Sequence, residues 1–148
     1  MASKPTVFIS YRRKDGSDLA RYIHDHLDKM GIDVFFDVED LVTGMRFAAV
    51  LEKEIINREF FLILVTREAL GSIWVQREIK VALDHRKRII PLVIKGFDFY
   101  GYVHDPANKL DDIKELTDYH ALEYDSVSYT HLRAHETKAN LVCRLLLE

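Results

Sequence analysis

Phe60-Phe61-Leu62-Ile63-Leu64-Val65 is an unbroken run of apolar residues, flanked by Arg58-Glu59 on one side and Thr66-Arg67 on the other. Successive side chains of a strand point to opposite faces of its sheet, so a run without alternation reads as a strand buried on both faces. It is therefore predicted to lie centrally in a sheet covered on both sides. Upstream, Thr6-Val7-Phe8-Ile9-Ser10-Tyr11 is a short β-branched and aromatic run, and the polar stretch 12–18, with Gly16 inside it, reads as a loop. Leu19, Tyr22, Ile23, Leu27 and Met30 then recur at helical spacing, and Gly31 stops the helix. Ile32-Asp33-Val34-Phe35-Phe36 is a second strand. The acidic loop Asp37-Val38-Glu39-Asp40-Leu41-Val42-Thr43-Gly44 follows. A helix over roughly residues 47–57 places Phe47, Val50, Leu51, Glu54 and Ile55 along one side.

Downstream of the central run the spacing predicts a helix over about residues 73–85, then a fourth strand, Arg88-Ile89-Ile90-Pro91-Leu92-Val93-Ile94. Pro91 argues that this strand lies towards an edge or is irregular. A short helix over residues 109–116 and a fifth strand, Tyr119-His120-Ala121-Leu122-Glu123-Tyr124, complete the pattern. Alternation of strand and helix implies an α/β domain of three layers, a mainly parallel five-stranded sheet with helices on both faces. Ligands in such sheets sit beyond the carboxyl ends of the strands where strand order reverses. The segments following Tyr11, Phe36 and Val65 are predicted to form the site.

The 148 residues make one domain, large enough for a core without disulfides or structural metal. With 21 basic against 24 acidic residues the net charge is -3, which gives no electrostatic case for nucleic acid or an anionic membrane as partner. The only cysteine, Cys143, rules out a disulfide framework, a cysteine-rich zinc site and a Cys-X-X-Cys motif, and fits a reducing compartment. No apolar segment is long enough for secretion or membrane spanning, so the chain reads as soluble and cytoplasmic.

In Trp74-Val75-Gln76-Arg77-Glu78 an aromatic residue and a carboxylate lie one helical turn apart, where loop becomes helix. Residues i and i+4 share a helix face, so the indole and carboxylate can meet one small ligand, such as a sugar carrying a flat base. At about 100° per residue, Val75, Ile79, Ala82 and Leu83 form the core-facing stripe, while Trp74, Glu78, Val81 and His85 line an adjoining strip. Glu78 thus borders the core, where partial desolvation raises a carboxyl pKa unless a donor or cation offsets it. Two blander readings stand beside this one. A capping box with Ser72 as cap would need Glu or Gln at position 75, which is Val75. A solvent-facing glutamate would pair with Arg77 or Lys80.

Other chemistries lack their residues. Neither G-x-G-x-x-G nor G-x-x-x-x-G-K-[ST] occurs, against a dehydrogenase or ATPase. A phosphoacceptor receiver would need acidic residues after the first strand and an aspartate after the third, where Ser10-Tyr11 and Thr66 stand. His24, Asp25, His26 and Asp28 are scattered around a surface helix, which argues against a metal.

Taken in order, VFISYRR from Val7, VFFDVEDLVTGMRF from Val34, WVQREI from Trp74 and KRIIPLVIKGFDF from Lys87 resemble a TIR domain. The likeness is especially to the NAD-cleaving TIR domains of bacterial defence proteins and of an animal axon-degeneration enzyme, and covers roughly residues 5–124. It implies a flavodoxin-like fold and cleavage of the nicotinamide-ribose bond of NAD+, with Glu78 catalytic. The products implied are nicotinamide and ADP-ribose or a cyclic ADP-ribose isomer, in bacterial immune, antiphage signalling. It implies that Trp74 helps form the substrate site and that Arg12 and Arg13 suit contacts near the pyrophosphate or at an assembly interface; Ser10, Tyr11, Phe36, Asp37 and Thr66, at the strand ends, join them as expected substrate contacts. NAD+ enters as substrate, with no separate cofactor and no metal. The loop Val38, Glu39, Asp40, Leu41, Val42, Thr43, Gly44, Met45 and Arg46 resembles the one that mediates homotypic self-association and gates the pocket, although Val42 stands where the animal enzyme has an acidic residue. The alternative implied by the same likeness is a non-enzymatic adaptor acting through TIR-TIR contacts.

From Val127 the character changes. VSYTHLRAHETKANLVCRLLLE resembles a translated sequencing-adaptor read-through, so the domain is expected to comprise residues 1–126, with 127–148 a non-native tail. The spacing of Leu132, Ala139, Val142 and Leu146 would let that tail dock as a substitute last helix. His131, His135 and Cys143 within it are not read as a metal site.

Overall fold

The computed structural model describes residues 5–36 and 45–124, with the backbone alone at residues 13–17, 36, 45–48 and 124. Its strands are β1 (Thr6–Ser10), β2 (Asp33–Phe36), β3 (Phe60–Val65), β4 (Arg88–Ile94) and β5 (Leu122–Tyr124). They form one sheet in the order β2-β1-β3-β4-β5, and every pairing is parallel. The unbroken apolar run is β3, at the centre, with every residue buried. Phe61, Ile63 and Val65 face one core, while Phe60, Leu62 and Leu64 face the other.

Each core is roofed by helices. On the first face lie α2 (Met45–Asn57), the single turn α3 (Arg67–Leu70), α4 (Ile73–Asp84) and α5 (Phe99–His104). On the second lies α1 (Arg13–Lys29), whose Leu19, Ala20, Ile23 and Leu27 are all but fully buried. The expected three layers and five strands are therefore present. Among the described residues no helix is long and apolar enough to cross a membrane.

The parallel register sets Phe8 beside both Phe35 and Phe61. Their rings stack with centroids 5.4 and 5.7 Å apart, a three-ring ladder across β2, β1 and β3. Offset aromatic pairs of this kind add to simple area burial. The ladder ties β2, β1 and β3 together side by side.

Several boundaries differ from expectation, each for a local reason. The polar stretch 12–18 is not a loop, because α1 begins at Arg13 directly after β1. Polar residues do not prevent helix, and the roughly 1 kcal/mol cost of Gly16 is small against the apolar stripe that follows. Pro91 pointed towards an edge, and β4 is the strand next to the edge strand β5. Pro91 pairs with Ile63 on the β3 side, while β5 pairs only from Leu92 onward, so on that side Pro91 has no ladder to interrupt. The short late helix is a 3-10 helix over Asp111–Asp118, and β5 is shorter than the run that suggested it. Neither α3 nor α5 has enough turns to register as a periodic pattern. The proposed tail from residue 127 lies outside the described residues.

Truncating Phe8 to Ala removes both ring contacts at once and leaves a cavity beneath α2 and α4. Stability should fall by about 3–5 kcal/mol, read from the midpoint of urea unfolding.

Candidate functional site

Strand order reverses between β1 and β3, so the chain leaves their carboxyl ends in opposite directions, to α1 on one face and to α3 and α4 on the other. Reversal opens a crevice at that end of the sheet. The path from β3 to α4 is built by two helix caps in quick succession. Thr66 Oγ1 accepts from the Ala69 backbone N–H at 3.0 Å and starts α3. Ser72 Oγ accepts from the Val75 N–H at 3.4 Å and starts α4. Between them the Gln76 amide donates to the Leu70 carbonyl at 2.7 Å, satisfying an otherwise open end of α3 and tying the corner shut.

That corner fixes which face of α4 meets the sheet. Val75, Ile79 and Ala82 are buried, as their spacing predicts, and Glu78 is buried with them, only 7% exposed. Its carboxylate Oε1 accepts a hydrogen bond of 3.0 Å from the hydroxyl of Ser10, at the end of β1. Apart from Tyr11 with its phenolic hydroxyl, Ser10 and Glu78 are the only polar or charged side chains buried among the described residues, and they are bonded to each other. Burying a carboxylate costs several kcal/mol unless donors offset it. A group kept in so costly a place is a candidate for chemistry.

Trp74, one turn earlier on the same helix, remains 47% exposed, and the Arg77 guanidinium lies 5.6 Å from its ring centroid. The solvent-facing reading of Glu78 is overturned. Arg77 lies over the indole, and Lys80 pairs at 3.4 Å with Asp84. The indole and the carboxylate thus lie one turn apart on the helix at different depths, the aromatic half-exposed and the charge buried.

The other expected site residues are distributed more widely. Ser10 is 1% exposed, with its hydroxyl committed to Glu78. Tyr11 is buried in the core beneath α1, on the opposite face of the sheet from α4. Arg12 is the N-cap residue of α1 and half-buried, and Arg13 is the first residue of that helix. Phe36 ends β2, and Thr66 uses its hydroxyl as the cap of α3. Of the expected self-association loop, Asp37 and residues 38–44 lie outside the described residues, while Met45 and Arg46 are the first residues of α2. Gln76 and Ser72 support the site without having been marked for it. Only the capping position of Ser72 was legible in advance.

The sequence pattern of the TIR domain family matches residues 7–138. Among curated proteins, the Caenorhabditis elegans NAD(+) hydrolase tir-1 is 34% identical over 126 residues, covering 80% of this chain and 12% of that protein. The Drosophila melanogaster NAD(+) hydrolase sarm1 is 38% identical over 107 residues, covering 67% of this chain and 8% of that protein. The chain therefore spans only a small part of the length of these relatives. Among solved structures, the TIR domains of the activated Roq1 resistosome, which recognises the effector XopQ, superpose with a TM-score of 0.69 at 14% identity, over 95% of this chain and 98% of that one. At that identity the likeness is one of fold.

Replacing Ser72 with Ala removes the α4 cap while leaving the core intact. The expected loss is about 1 kcal/mol, seen as a lower urea midpoint with an unchanged slope.

Proposed function

Because the chain belongs to the TIR domain family, we propose that it cleaves the nicotinamide-ribose bond of NAD+, as the names of its curated relatives suggest. The observation that carries this reading is Glu78, a carboxylate buried beside the sheet's reversal point and one helical turn below an exposed indole. Nicotinamide in NAD+ is already a cationic leaving group and departs without protonation, unlike the oxygen leaving groups of ordinary glycosides. What needs stabilising is the ribose, which becomes oxocarbenium-like as the bond breaks. A carboxylate held against it can accept from its hydroxyls and favour the developing positive charge, more strongly where water is excluded. Trp74 supplies a flat apolar surface at the rim for a planar base.

Water attacking the ribose would release ADP-ribose, and attack by a group of the same molecule would give a cyclic isomer. No metal or separate cofactor enters either route. In this reading the segment 37–46 mediates contact between copies, turnover depends on assembly, and the biological setting is bacterial immune signalling.

Incubating the protein with NAD+ and separating the products by chromatography should show nicotinamide with ADP-ribose or its cyclic isomer. Glu78→Gln preserves size and removes charge, and should lower turnover by roughly 100-fold or more. A protein that releases no nicotinamide at any concentration would instead be an adaptor working through homotypic contacts. If assembly gates the site, the rate per molecule rises with protein concentration. A rate strictly proportional to enzyme would sink that part of the reading.

A further inference from the structure

The alternation of β1 assigns its side chains without ambiguity. Val7 and Ile9 enter the core beneath α1, whereas Phe8 faces the core beneath α2 and α4. Ser10 is the next residue on the Phe8 face, and it is 1% exposed. A branched apolar side chain would bury more surface there, and a serine hydroxyl left unsatisfied would cost about 1–3 kcal/mol. The hydroxyl is satisfied by the one acceptor that the candidate chemistry needs, Glu78 Oε1 at 3.0 Å and 68 residues away. A hydroxyl has a single proton to give. Given to the carboxylate, it is not available to a ligand.

Resting on the reading of Glu78 given above, we propose that Ser10 is a positioning residue, one that orients the Glu78 carboxylate from beneath without touching substrate. A glutamate side chain has three rotatable bonds, and the hydrogen bond from Ser10 narrows the orientations open to its carboxylate. One bond to a rigid strand, itself locked by the Phe35-Phe8-Phe61 ladder, selects an orientation before substrate arrives. Such preorganisation acts on the chemical step more than on binding. Misplacing a reacting group by even 1 Å can cost on the order of 100-fold. The strand end therefore contributes to the reaction through the helix.

The test compares Ser10→Thr with Ser10→Val, which have nearly the same shape and differ in the hydroxyl, so any crowding by the added carbon is common to both. With NAD+ as substrate, kcat of the Thr variant should exceed that of the Val variant by about ten-fold, with KM alike within about two-fold. Equal kcat values would overturn the proposal. A rise in KM at unchanged kcat would also overturn it, since Ser10 would then be a substrate contact. A second readout needs no turnover. In resting protein labelled with carbon-13 at glutamate side-chain carboxyls, the Glu78 signal, identified by its loss in Glu78→Gln, should shift in the Val variant and stay near the wild-type position in the Thr variant. An unmoved signal in the Val variant removes the bond and the proposal together. If the wild-type protein releases no nicotinamide, the NAD+ reading fails, and this signal still decides whether Ser10 orients the carboxylate.

Discussion

Everything in this domain follows from β3 being apolar on both sides. A strand with no polar face cannot sit at a surface, so the sheet must be roofed twice, and parallel pairing forces each connection to cross over a face. Laying β1 and β2 to one side of β3, and β4 and β5 to the other, requires the crossovers to change face once. That change happens between β1 and β3. The crevice is thus a by-product of covering the core, and the residues at its floor are those that end these two strands.

Against that floor the fold sets one expensive group. The core beneath α4 is otherwise built of aliphatic and aromatic side chains, and Glu78 occupies a position on α4 between Val75 and Ile79 where an apolar residue would stabilise the helix further. A hydrogen bond from Ser10 offsets part of the desolvation, since bonds to charged groups contribute about 1.5–3 kcal/mol. Natural domains tolerate such local losses at sites of chemistry, where a stable side chain would be inert. The caps at Thr66 and Ser72 start α3 and α4 in close succession, and α4 then buries Glu78 while leaving Trp74 half-exposed.

Much of this was legible in the residues alone. The central run, the helical stripe through Val75, Ile79 and Ala82, and the border position of Glu78 all follow from periodicity. What periodicity cannot express is depth. Trp74 and Glu78 fall on one strip by angle, yet one is half in solvent and the other buried. The bond between Ser10 and Glu78 joins residues 68 apart and has no local signature. The early start of α1 was hidden because polar residues serve equally well in a loop and on the exposed turns of a helix. Pro91 points towards the edge for a physical reason: a proline breaks a ladder only where a neighbouring strand is present to be broken, and the edge strand β5 is too short to reach it.

The chain contains a single tryptophan, and the fold leaves it about half exposed at the start of α4, beside the guanidinium of Arg77. Indole emission responds to the polarity and the stacking partners of its ring. Light absorbed selectively by tryptophan therefore interrogates this one place in the molecule, with no background from a second indole. The protein carries its own optical reporter one helical turn from the buried carboxylate of Glu78.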